Sequence, residues 1–140
     1  MTPNQINAIR ESWANVVPLG TEAGALFYTR LFEIDPSLRD LFQSTDFDAQ
    51  NRKLIDVLSL AVSHLDDPEA LVPALTELGA RHDGYGVTPT HYDLVGQALL
   101  DTLQSALGDT WSDDLRDAWA TLYGFVSAHM IAGGTARRAA

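Results

Sequence analysis

The chain is expected to be an all-α protein with irregularly packed helices, on three observations. No stretch alternates apolar and polar residues over a useful strand length. Apolar residues instead recur at helical spacing along almost the whole chain. Helix-opening residues punctuate that pattern at Thr2-Pro3, Asp35-Pro36, Asp67-Pro68, Thr88-Pro89 and Ser112.

Thr2-Pro3-Asn4-Gln5 reads as a capping box with proline at the first helical position, opening a helix that buries Ile6, Ile9 and Trp13. A second helix begins near Gly20-Thr21 and runs through Ala25, Tyr28 and Phe32. Asp35-Pro36 starts a short segment ending at Leu41-Phe42-Gln43, and residues 44–48 form a loop or cap. Residues 49–64 are helical with Leu54, Val57, Leu58 and Ala61 inward. Asp67-Pro68 is expected to open the helix that carries His82, and Thr88-Pro89 one that buries Tyr92, Val95, Leu99 and Leu103. Ser112 caps the last long helix, with Leu115, Trp119, Leu122, Val126 and Met130 inside. Gly133-Gly134 is expected to stop it, leaving TARRAA as a frayed tail. Unequal helices with short connections suit an irregular fold better than a symmetric four-helix bundle. No internal repeat or domain boundary is visible, so residues 1–140 read as one domain with its core between 4 and 132.

Nine basic residues, all arginine except Lys53, stand against nineteen acidic ones, a formal net charge of −10. Such a surface repels phosphate backbones and anionic lipid, so neither nucleic acid nor membrane is an expected partner. No apolar run is long enough for a bilayer and MTPNQINAIRESW is not a signal peptide, so the expected location is the cytoplasm. Zero cysteines excludes disulfides, thiolate metal sites and cysteine nucleophiles.

His82 carries the chemical interest. Leu71, Leu75 and Leu78 fall on its helical stripe, so the imidazole projects from an apolar face just before Asp83-Gly84 and Gly86 break the helix. On periodicity alone, a core histidine donating to a carbonyl is the plain reading and a metal ligand the sharper one.

Five stretches carry a resemblance: LFYTRLFEIDPSLRDLFQ (26–43), QNRKLIDVL (50–58), LGARHDGYGV (78–87), HYDLVGQALLDTL (91–103) and AWATLYG (118–124). In this order and spacing they resemble the globin family over residues 4–132, specifically the haem domain of flavohaemoglobins and single-domain bacterial haemoglobins, with neuroglobin a more distant likeness. The resemblance implies a globin fold of about six to eight helices around a haem b pocket. It makes His82 the axial ligand to iron, Phe42 the ring stacked on the porphyrin, Gln50 the distal residue and Leu54 the apolar cover over a bound gas. Tyr28 takes the position of the flavohaemoglobin tyrosine that points at the ligand.

Iron then takes one neutral imidazole nitrogen of His82, and the other nitrogen needs a partner, for which the backbone carbonyl near Leu78 is placed one turn earlier. The Tyr28 hydroxyl and Gln50 amide are donors that would hold a negatively polarised diatomic more tightly than neutral carbon monoxide. Their plain alternatives are a core tyrosine bonded to a carbonyl and a solvent-facing glutamine. Lys53 and Arg81 are candidates for the haem propionates or for simple solvated charges, and Val87 and Val95 for porphyrin contacts. The resemblance puts Tyr92 beside the axial histidine. It also puts Gly134 where flavohaemoglobins have a glutamate, so no strong proximal electron push is expected. His64, His91 and His129 read as surface or capping residues.

The leading expectation is a globin that reversibly binds oxygen, carbon monoxide and nitric oxide at an open ferrous site. The enzyme alternative is nitric oxide dioxygenase. No Gly-rich dinucleotide loop or βαβ pattern occurs in the chain, so turnover would need a separate reductase. A gas or redox sensor is a third reading, and a haem-free helical regulatory domain is the fallback if the resemblance misleads.

Overall fold

A computed structural model describes residues 1–140. Six α-helices follow one another: α1 (Pro3–Val16), α2 (Thr21–Ile34), α3 (Phe47–Ser63), α4 (Val72–Gly84), α5 (Pro89–Leu107) and α6 (Asp113–Ala139). Short 3₁₀ segments fill the connections, of which Pro36–Phe42 joins α2 to α3 and Pro68–Leu71 precedes α4. There is no strand. No helix is long and apolar enough to cross a membrane.

Helix starts follow the capping chemistry of the sequence. Thr2 Oγ accepts from the Gln5 amide at 3.1 Å while Gln5 Oε1 accepts from the Thr2 amide at 2.9 Å, which satisfies two donors that the first turn leaves free. Ser112 Oγ accepts from the Leu115 amide at 3.1 Å to open α6. At α5 the arrangement is less usual: the Thr88 amide donates to His91 Nδ1 at 3.0 Å. The Asp46 carboxylate accepts from the Asp48 and Ala49 amides, so α3 begins at Phe47, two residues before the expected start.

Two expectations fail. Asp67-Pro68 opens only the 3₁₀ turn, and α4 begins at Val72. Pro73 is the reason, since its ring would clash with the Glu69 carbonyl in a continuous α-helix. Gly133-Gly134 does not stop α6, which continues through the tail residues to Ala139. The glycine pair serves a close crossing instead. A Cβ at Gly133 would overlap the Thr76 carbonyl, and one at Gly79 would overlap the Met130 carbonyl. The backbones of α4 and α6 therefore touch, and α6 is the main support of α4.

The core runs through α1, α2, α5 and α6. Trp119 and Ile9 are fully buried, and Trp13 packs against Trp119 with ring centroids 5.8 Å apart and planes tilted by 57°. Both indole nitrogens are satisfied: Trp13 donates to Ser59 at 3.0 Å, and Trp119 to Ser12 at 2.9 Å. Ser12 in turn donates to the Ile9 carbonyl. The helix α2 packs on α3 and α5, whereas α3 and α4 have no substantial packing on one another.

Candidate functional site

Imidazole chemistry at His82 is set by its own helix. Nδ1 donates to the Leu78 carbonyl at 2.8 Å, the i−4 partner to which the sequence spacing points. A carbonyl can only accept, so the proton sits on Nδ1 and Nε2 keeps its lone pair. Burial pushes the His82 pKa down, with the Leu78 bond opposing and the Arg81 charge assisting. The side chain is thus a neutral nitrogen donor with one free nitrogen, which is what a haem iron requires.

A second group forms where α2 meets α3. Gln50 Nε2 donates to the Tyr28 hydroxyl at 3.0 Å across twenty-two positions of sequence. Tyr28 is buried among aromatic rings, with Phe27, Phe42 and Phe47 at centroid distances of 4.9, 5.5 and 5.6 Å. Burial raises its pKa, and the Gln50 bond pulls it part of the way back. The hydroxyl therefore stays protonated through the neutral range. Gln50 occupies its oxygen from outside, so its own proton is free to be given elsewhere. Gly24 makes the α2–α3 crossing close, since a Cβ there would stand 2.7 Å from Asn51 Cβ.

Apolar side chains that pack on the core without being fully covered include Phe42, Leu54, Leu78, Val87 and Val95. Half-covered apolar side chains of this kind, on the 3₁₀ segment, α3, α4, α5 and the loop before α5, are the type that packs on a flat apolar group. Together with the free Nε2, they fit haem b. The charged candidates stand apart. Lys53 is exposed and pairs with no carboxylate, and Arg81 is exposed with its guanidinium 3.5 Å from Glu77. Tyr92 is buried, its carbonyl accepting from the Tyr123 hydroxyl at 2.6 Å. His64 bonds to the Leu60 carbonyl at the end of α3, His91 caps α5, and His129 lies against the Phe125 ring.

Two features were not foreseen from sequence. Phe47, one helical turn before Gln50, completes the ring cluster around Tyr28, a placement that helical spacing could have suggested. At the other end, the space over Gly134 is filled by the Asp83 side chain, which is bonded to Arg137 and Arg138 of the supposed tail. A groove of about 610 Å³ lies elsewhere, between α1 and the start of α6. Glu11, Asp114 and Asp117 are among its lining, and so polar a wall does not suit a porphyrin.

An all-α fold that offers a neutral histidine from one helix and a hydroxyl–amide pair from two others has the donor chemistry of a haem protein. Residues 25–130 match the model of the Globin family, and the chain belongs to that family. It is 38% identical to the neuroglobin of Danio rerio over 138 residues, 89% of this chain and 87% of that protein. The neuroglobin of Tetraodon nigroviridis is 36% identical with the same coverage. A flavohemoprotein of Chromobacterium violaceum is 36% identical over 107 residues, 75% of this chain and 26% of that longer protein. The two likenesses are similar in strength, and the neuroglobin one covers more of the chain. Haem b is accordingly the cofactor, and a diatomic gas the ligand class.

Proposed function

We propose that this globin binds dioxygen reversibly, with His82 as the axial ligand and Tyr28 as the donor to bound gas. The observation that carries the reading is the Gln50–Tyr28 bond, because it fixes the tyrosine ring and leaves the hydroxyl proton unspent. Haem b, when bound, would supply the ferrous iron at which a diatomic gas is held. His82 Nε2 would hold that iron, while the Leu78 carbonyl fixes the ring and strengthens its donor nitrogen. Phe42 would stack on the porphyrin, with Leu54, Leu78, Val87 and Val95 excluding water from its faces. Tyr92 would stand on the His82 side. Lys53 and Arg81 have the reach and exposure to meet propionates at the rim. The protonated Tyr28 hydroxyl favours a diatomic that draws negative charge over one that does not.

The test is the visible spectrum of haem-loaded protein reduced with dithionite under argon, followed by air. A single broad band, replaced in air by an oxygenated spectrum that reverts under argon, is the expected result. Sharp split bands under argon would mean that a side chain fills the sixth position and would contradict the reading.

The tyrosine–glutamine pair and the flavohemoprotein likeness favour nitric oxide dioxygenase as the second reading. That activity would convert nitric oxide and dioxygen to nitrate, with electrons from a separate reductase. Slow or substoichiometric nitrate formation on mixing nitric oxide with the air-equilibrated ferrous protein would exclude it. The protein would then be expected to act in the cytoplasm as an oxygen carrier. A sensor role would need a partner that reads the same site.

A further inference from the structure

The last turns of α6 fold against α4 at the residue immediately after His82. The Asp83 side chain is only 9% exposed, and its Oδ2 accepts from Arg137 at 2.9 Å while its Oδ1 accepts from Arg138. Gly134 gives that carboxylate its place: a Cβ there would stand 3.1 Å from Asp83 Cβ and 3.4 Å from its Cγ. The Arg137 guanidinium lies beside Gly84, 3.5 Å from where a Cβ would stand. Asp83, Val87, Tyr92, Gly134 and Arg138 border one small cavity of about 10 Å³. The Asp83 charge is felt there, since it adds to burial in raising the Tyr92 pKa. The neighbouring Arg81 lies 3.5 Å from Glu77 in an exposed pair, and the carboxylate is bonded by the two C-terminal arginines.

We propose that Asp83, Arg137 and Arg138 form a charge clasp that sets the electrostatic field at the iron-ligating end of α4. Asp83 is a positioning residue that ties the His82 turn to α6, and the arginines leave the cluster with a net charge of about +1. A buried carboxylate that loses one partner is strongly uncompensated, unlike a surface ion pair. This inference rests on His82 as the axial ligand. A more negative cluster beside the ligand favours ferric over ferrous iron, and a more positive one does the reverse.

The experiment is the ferric/ferrous midpoint potential of the haem-loaded full chain, with far-ultraviolet circular dichroism as the check on helix content. Asp83→Asn leaves the arginines unmasked, and the double variant Arg137→Gln/Arg138→Gln leaves the carboxylate unmasked. The expected order of potentials is Asp83→Asn highest, then the unaltered protein, then the variant that combines all three substitutions, with the double variant lowest. The outer steps are expected to be about threefold or more in the ferric/ferrous equilibrium, about 28 mV, shrinking as salt is raised. If the double variant loses helix, Arg138→Gln alone replaces it and must still fall below the unaltered protein. A purely mechanical clasp would move Asp83→Asn and the double variant in the same direction, and that result, or unchanged potentials, would overturn the proposal. A reduced unaltered protein without an iron–imidazole vibration would overturn the ligand assignment beneath it, and the clasp with it.

Discussion

Replacing Tyr28 with phenylalanine removes one hydroxyl and little else. The ring keeps its neighbours Phe27, Phe42 and Phe47, so the aromatic cluster of α2 and α3 is preserved. What is lost is a donor whose proton no other group in the structure accepts. A hydrogen bond to a charge-bearing acceptor contributes about 1.5–3 kcal/mol. At about 1.4 kcal/mol per tenfold, oxygen should dissociate about 10 to 150 times faster. Gln50 shifts the expectation to the lower half of that range, because its amide loses the Tyr28 oxygen and can turn toward the ligand itself. The assay is stopped-flow displacement of oxygen by excess carbon monoxide, followed at the Soret band. Carbon monoxide dissociation, measured by nitric oxide displacement, should change less than about twofold, since that ligand draws little negative charge. Oxygen dissociation within about threefold of the unaltered protein would refute the donor role of Tyr28.

Further outcomes follow from the same geometry. Gln50→Leu should speed oxygen dissociation less than Tyr28→Phe, and the double variant should exceed either; a silent double variant would contradict a joint role. Gly79→Ala should destabilise by about 1–3 kcal/mol in urea unfolding, because its Cβ meets the Met130 carbonyl. Gly124→Ala, with open space around it, should instead stabilise by about 0.5–1 kcal/mol. His82 has a pKa lowered by burial, so the unfolded chain takes up its proton first as pH falls. The haem-free protein should therefore lose stability progressively below the unfolded value of about 6.5, and His82→Gln should flatten that part of the profile.

Helix starts were legible because their chemistry is local. Thr2, Asp46, Thr88 and Ser112 cap or stand next to the helices they precede, and the partners lie within three residues. The His82–Leu78 bond was legible for the same reason, being one helical turn long. Gly133-Gly134 misled because a glycine pair fits both a helix end and a close helix crossing. Only Thr76, Gly79 and Met130 decide between them, and they come together through the fold. The tail was misjudged with it, since Arg137 and Arg138 find Asp83 more than fifty positions away. Tyr28 and Gln50 are of that kind too. Their types and positions came from the likeness to globins, and no helical period predicts a bond between α2 and α3.

The central claim is that His82 Nε2 holds the iron, and the cavity variant His82→Gly tests it most directly. Haem-loaded and reduced under argon, the variant should lack the iron–imidazole vibration of the unaltered protein, and added free imidazole should restore it. An unchanged vibration in His82→Gly without imidazole would show that another side chain is the ligand.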